Sequence, residues 1–334
     1  MNPLSGASDP RSAAVPDGTE VLGTGPVATA RSERDRTVGI LSTLGAYLLW
    51  GLFPLYFLAL EPTGPWEVVA WRIALSFVFC LVLLTVMRTW PKLWAIVKQP
   101  RLMAWTALAG VVIYVNWQTY LVGTLTGHVI EASLGYFINP IVTVLLGVLV
   151  LRERIGVTQW VAIGIAGVAV VVIVIAYGTV PWIALILAAS FGLYGLVKKR
   201  IGTDVDAVSG LTLESFWLLP VAAVELIVVG ATNGLTLGAT GPLHTVLVLL
   251  AGVVTAVPLL LFAGGARRIP LTVVGLLQFI TPILQFIVGL VFLHEPMVFS
   301  QWIGFALVWV ALIVLTVDSL RAARHRESSK VRGA

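Results

Sequence analysis

The chain, 334 residues long, predicts an all-α polytopic membrane protein with ten transmembrane helices arranged as two inverted five-helix repeats. Three observations carry that prediction. The composition is too apolar for a hydrated surface, the basic residues alternate between two sides of a barrier, and the second half of the sequence repeats the first.

Hydrophobic residues make up 58 % of the chain and charged residues only 11 %. A soluble domain carries about a quarter charged residues, because its surface must be hydrated. Most of this surface must therefore face hydrocarbon. A bilayer core about 30 Å thick accepts roughly 20 apolar residues as helix. That ruler places spans at 38–60, 66–87, 102–124, 129–150, 156–177, 181–198, 209–230, 241–265, 271–293 and 298–318. Gly51 and Pro54 in the first span, Pro140 in the fourth and Pro282 in the ninth are hinge candidates. A membrane helix tolerates them where neighbours re-satisfy the freed backbone groups.

The basic residues orient the spans. With the N-terminus inside and ten crossings, the inside segments hold 20 of the 21 Lys and Arg residues and the outside loops hold none. The exception, Arg72, falls within the second span. Cytoplasmic loops carry this excess of positive charge in membrane proteins, so both termini are expected in the cytoplasm. A miscounted helix would flip part of the pattern.

Residues 1–37 are rich in Pro, Gly, Ser and charge and are expected to form a disordered cytoplasmic tail. They lack the hydrophobic core of a signal peptide. Residues 321–334 form a second, basic cytoplasmic tail. Between them lie the first repeat, 38–178, and the second, 179–320.

A shift of 142 residues brings the halves into register. Phe137-Ile138-Asn139-Pro140-Ile141 falls on Phe279-Ile280-Thr281-Pro282-Ile283, Glu153 on Glu295, and Gln159-Trp160 on Gln301-Trp302. Residues 109–160 share 16 identities with 251–302 over 52 ungapped positions. Aliphatic matches arise easily in apolar sequence, but matched Pro, Glu, Gln and Trp mark a duplication. An odd number of helices per unit forces the second copy upside down. Inverted repeats suit carriers, since two pseudo-equivalent halves can enclose a midplane site.

Several function classes drop out. The net charge of +5 sits in short clusters between apolar runs, unlike a nucleic-acid-binding face. The lone Cys80 rules out a disulfide framework within the chain. There is no phosphate-binding glycine loop, no metal-ligand spacing among four histidines and no serine nucleophile elbow. No enzyme activity, cofactor or metal is expected. The expected partners are a small-molecule substrate and the lipid bilayer.

Charges within apolar spans point to function, because each costs about 2.5–3.5 kcal/mol at the bilayer centre on insertion scales. Arg72 and Glu214 occupy equivalent repeat positions with opposite sign and are expected to line a cavity. A local Arg72–Glu67 pair is the competing reading. Glu131 opens the fourth span beside His128 as a further candidate, while Glu153, Glu295 and Glu225 read as structural or interfacial. Asn116, Trp117 and Tyr120 (with Gln118 between them) form a polar-aromatic group, and Tyr136, Asn139 and Gln278 add hydrogen-bonding capacity at depth. Ligand sites of this size are largely apolar and aromatic with a few placed polar groups.

The stretches Ala46-Tyr47-Leu48-Leu49-Trp50-Gly51, Glu131-Ala132-Ser133-Leu134-Gly135-Tyr136-Phe137-Ile138-Asn139-Pro140 and Tyr194-Gly195-Leu196-Val197-Lys198-Lys199 resemble the RarD proteins of the EamA family, in the drug/metabolite transporter superfamily. Trp217–Ala222 and Pro258-Leu259-Leu260 resemble them too. The likeness covers about residues 38–320. It implies ten helices in two EamA repeats, a central cavity, and export or exchange of small metabolites or drugs. Leu58 stands where that family usually has a basic residue, and Trp71 where it usually has a His before the span-two Arg.

These readings converge on a secondary transporter of the bacterial cytoplasmic (inner) membrane, working by alternating access, with Glu214 or Glu131 as proton-coupling groups. A non-coupled facilitator of the same fold is the alternative, and a membrane sensor or enzyme is the reading from another class. Ala162 and Ala166 could pack a helix pair within a protomer or across a homodimer.

Overall fold

The apolar runs fold as helices, and the breaks fall where Gly, Pro or charge interrupts them. The computed structural model describes residues 26–152, 155–177, 180–201, 204–266, 268–269 and 271–332. The first repeat comprises α1 (Pro26–Gly51), α2 (Phe53–Leu58), α3 (Pro65–Val86), α4 (Trp90–Val97), α5 (Pro100–Leu125), α6 (Val129–Leu151) and α7 (Val157–Tyr177). The second comprises α8 (Trp182–Ile201), α9 (Ala207–Thr232), α10 (Pro242–Leu249), α11 (Ala251–Ala266), α12 (Leu271–Leu277), α13 (Ile280–Ile287) and α14 (Phe299–Arg332). A π-helical turn, Val288–Phe292, extends α13.

Helix starts follow from sequence. Pro65, Pro100 and Pro242 open α3, α5 and α10, where a missing N–H costs nothing and the fixed φ suits a first turn. Asp206 caps α9, its carboxylate accepting from Ser209 N at 3.2 Å.

Seven helical stretches among the described residues are long and apolar enough to cross a membrane, and Trp182–Lys198 and Ile280–Phe292 are shorter apolar segments. The expected spans 1 and 9 are not single helices. Helix α1 stops at Gly51 and restarts as α2, with Pro54 in its first turn. The ninth is split at Gln278-Phe279 and again by the π turn. Pro282 sits in the first turn of α13, just after the split, whereas α6 runs unbroken through Pro140. The two matched prolines therefore act differently: the break lies beside Pro282 only.

The expected disordered tail needs correction over residues 26–37, which are helical and continuous with the first span. A helix already nucleated by an apolar span extends at little cost into Ala-, Arg- and Glu-containing sequence. The C-terminal basic segment extends α14 to Arg332 for the same reason. Residues 1–25 of the tail, with Glu153, Arg154 and Arg267, lie outside the described residues.

Helix packing repeats under the same 142-residue shift. Helix α3 packs on its counterpart α9, α7 on α14, and α6 on α13, while α5 on α8 mirrors α11 on α1. The equivalent pairs run antiparallel. Glu67, near the start of α3, meets Thr236 just past the end of α9, whereas Phe77 meets Phe216, nearer the start of α9, at 6.2 Å. Antiparallel equivalents are what an inverted repeat requires. Close approach comes from glycine: a Cβ on Gly110 would lie 3.0 Å from the Glu214 carbonyl oxygen, and one on the equivalent Gly252 would collide with the Leu75 carbonyl.

Polar side chains are buried between helices while apolar ones face outward, the reverse of a soluble domain. Asn116, Glu67 and Glu214 are each about 1 % exposed, whereas Ile175, Ile227 and Val82 are among the exposed residues. Such an outer surface requires lipid around it.

Candidate substrate site

Arg72 is a buried cation with no carboxylate partner among the described residues. Because Gly252 lets α11 approach α3, Thr255, one turn along, reaches the inward face of α3. Arg72 Nε donates to Thr255 Oγ1 at 2.7 Å, and that hydroxyl donates onward to the Ala251 carbonyl at 2.8 Å. The guanidinium carbon stands 4.3 Å from the Trp117 ring centre, 5.5 Å from Phe57 and 5.6 Å from Phe53. Arg72 is only 4 % exposed, and its Nη1 is buried with no hydrogen-bond partner. The competing reading, a local Arg72–Glu67 pair, is not found among the described residues.

Effective desolvation of an ion costs several kcal/mol even after relaxation. A desolvated cation–π contact returns about 2 kcal/mol, and a charged hydrogen bond about 1.5–3 kcal/mol. The guanidinium is thus held by aromatic faces and one hydroxyl, with a donor still unused.

Most of the expected polar-aromatic residues assemble beside it. Tyr136 OH donates to Asn116 Oδ1 at 3.2 Å, and Asn116 Nδ2 donates to Ser190 Oγ at 3.0 Å and the Leu187 carbonyl at 3.2 Å. Tyr120 packs edge-on against Tyr136 at 5.8 Å and Phe57 at 6.1 Å. Arg72, Trp117, Tyr120, Tyr136 and Asn116 therefore form one continuous cluster from α3, α5 and α6. Phe53, Phe57 and Thr255 belong to it and were not singled out in the sequence. They look like ordinary apolar-span residues, and only the crossing of α2, α3 and α11 reveals their role.

The remaining candidates go elsewhere. Glu214 accepts from Lys198 Nζ at 2.8 Å and from Tyr194 OH at 3.0 Å, the one ion pair found among the described residues. Glu131 Oε1 accepts from Ile183 N at 3.0 Å, so it is committed to the start of α8 rather than to an open cavity. Glu295 plays the matching part, accepting from Val129 N at 2.7 Å and Ile130 N at 2.8 Å at the start of α6. Carboxylates suit these positions because helix N-termini present unpaired N–H groups and a partial positive charge. Glu225 is buried between helices and accepts from Tyr114 OH at 2.6 Å. Asn139 Oδ1 and both polar atoms of Gln118 are buried without partners. Gln278 occupies the turn between α12 and α13, and no hydrogen bond joins it to the Arg72 cluster among the described residues.

Polar layers flank the cluster along α3 and α9. On one side Glu67 Oε1 accepts from Thr236 N at 2.9 Å and Trp71 Nε1 at 3.2 Å, while Thr63 Oγ1 links Thr236 Oγ1 at 2.7 Å to His244 Nε2 at 2.8 Å. On the other side lies the Lys198–Glu214 pair.

Comparison with known proteins follows the same two-repeat outline. The EamA-like transporter family matches residues 37–175 and again 180–317. "Protein RarD" of Streptomyces exfoliatus is 43 % identical over 295 residues, 88 % of this chain and 93 % of that protein. "Uncharacterized transporter YojE" of Bacillus subtilis (strain 168) is 41 % identical over 294 residues, 87 % of this chain and 97 % of that one. A solved crystal structure shares the fold, with a TM-score of 0.53 at 18 % identity, over 86 % of this chain and 99 % of its own. With both halves matched and such relatives spanning nearly its full length, the chain belongs to the EamA-like transporter family and is a multi-pass membrane transporter of the drug/metabolite type.

Proposed function

We propose that the chain is a secondary carrier that moves a small, negatively charged metabolite or drug-like molecule across the bacterial cytoplasmic membrane. It works by alternating access around Arg72, with ten crossings, both termini in the cytoplasm, and export or exchange as its direction. The observation that carries this reading is the buried guanidinium with an unused donor and, among the described residues, no carboxylate paired with it. A substrate anion relieves that imbalance, so binding energy is concentrated where the two repeats meet.

The flanking layers support alternation. Repeat-equivalent helices α3 and α9 carry the Glu67 network towards one end and the Lys198–Glu214 pair towards the other, with Arg72 between. Rocking one repeat against the other opens one layer while the second holds.

Counterflow of radiolabelled organic anions in proteoliposomes tests the proposal. Uptake by the native protein and its loss in Arg72→Gln are expected. Native-level counterflow in that variant, or counterflow of cations alone, overturns it. Repeating the assay with and without a pH gradient decides between a proton-coupled carrier and an uncoupled facilitator.

A further inference from the structure

A groove of about 310 Å³ runs along the side of the bundle between α1, α2 and α11, lined by Leu49, Leu52, Phe53, Tyr56, Val254 and Val257 among others. Leu49 and Leu52 are 41 % and 46 % exposed, so the groove opens at the outer surface of the bundle. Its inner wall is one side chain thick. Phe53 lines the groove on one face and stands 5.6 Å from the Arg72 guanidinium on the other. Val254, also in the lining, directly precedes Thr255, the hydroxyl that holds Arg72 Nε.

Two features make this wall movable. Phe53 and Tyr56 belong to the six-residue α2, set off from α1 by a one-residue break at Leu52 and carrying in its first turn Pro54, which has no N–H to bond back to α1. The short helix is tethered at Tyr56, whose hydroxyl donates to the Leu247 carbonyl of α10 at 2.8 Å. Releasing that bond and turning Phe53 off the guanidinium, while Phe57 stays packed, would join the groove to the Arg72 site.

We infer that the Arg72 site takes amphiphilic organic anions, a carboxylate or similar head on Arg72 and an apolar tail in the groove between α2 and α11, admitted sideways from the bilayer. The argument rests on the carrier reading above and deepens it by naming the substrate class. Charge selects the head, because Arg72 is buried with no carboxylate partner among the described residues and with Nη1 unbonded. Size selects the tail: the groove is at the small end of the roughly 300–1,000 Å³ range of ligand pockets, which suits a medium-chain or arylalkyl acid and not a diacyl lipid.

The test is a binding series on the purified native protein, by isothermal titration with acetate, butyrate, hexanoate, octanoate and 4-phenylbutyrate, and with octylamine as the cationic control. Arg72→Gln serves as the reference for tail partitioning into detergent. Burying a methylene contributes about 0.8 kcal/mol, so affinity above that reference should rise about fourfold per added CH₂ until the groove is full. Octylamine should show no Arg72-dependent binding. In Val257→Trp and, independently, Leu52→Trp, which fill the groove, the series should flatten.

An Arg72-dependent affinity that is the same for acetate and octanoate overturns the groove assignment and leaves the carrier proposal standing. A steep series that persists in both filled variants overturns it too. Absence of Arg72-dependent binding by every anion overturns both readings.

Discussion

Replacing Arg72 by Met should separate stability from function with opposite signs. The side chain is buried, its guanidinium is stacked on Trp117 at 4.3 Å, and it makes a single hydrogen bond, to Thr255 at 2.7 Å. Losing that charged bond costs about 1.5–3 kcal/mol, and losing the cation–π contacts about 2 kcal/mol. Against this, the variant no longer desolvates an ion that has no counter-charge, a relief of several kcal/mol, and Met refills the volume with apolar atoms. The terms nearly cancel, so the melting temperature in detergent should be unchanged or raised. Anion binding loses the charged hydrogen bond to Nη1, about 1.5–3 kcal/mol, which is roughly a 10- to 150-fold rise in Kd. Thermal unfolding followed by tryptophan fluorescence gives the first quantity, and titration or counterflow gives the second. A melting temperature that falls by more than about 8 °C with anion affinity intact would refute the reasoning. Arg72 would then be a structural residue satisfied by its aromatic neighbours.

Three other variants probe the frame around the site. Gly252→Ala should destabilise by about 1–3 kcal/mol, since the new methyl meets the α3 backbone with no flexible atom to give way, whereas Gly45→Ala, with nothing nearer than 3.8 Å, should melt like the native protein. Lys198→Met strands the Glu214 carboxylate and should lower stability, and the double variant Lys198→Met/Glu214→Leu should recover much of the loss; a double variant no better than the single one would argue against a coupled pair. Glu295→Gln and Glu131→Gln each weaken a charged contact at a helix N-terminus and should cost about 0.5–2 kcal/mol in thermal shift, with anion Kd moving less than about twofold. A large change in Kd without a change in melting would place Glu131 in the substrate site instead.

Much of this protein was decided by sequence alone, for one physical reason: a bilayer imposes a length and a polarity on each segment before any tertiary contact forms. Apolar runs of about 20 residues become helices, and a duplicated pattern brings equivalent helices together. The exceptions within those runs, Arg72, Asn116, Tyr136 and Glu214, announced themselves because charge and amide groups are costly there. What each one met was invisible. Residues 72 and 255 are far apart in the chain, and their hydrogen bond exists only because α11 presses its glycine face against α3. The same holds for Glu131, which reads as a cavity carboxylate until α8 is seen to begin at its oxygen. Pro140 and Pro282 match in the repeat, yet only the second lies beside a helix break. Local sequence sets the cost of a buried polar group, and tertiary packing alone decides whether another part of the chain compensates it or, as at Arg72 Nη1, leaves a donor unpaired.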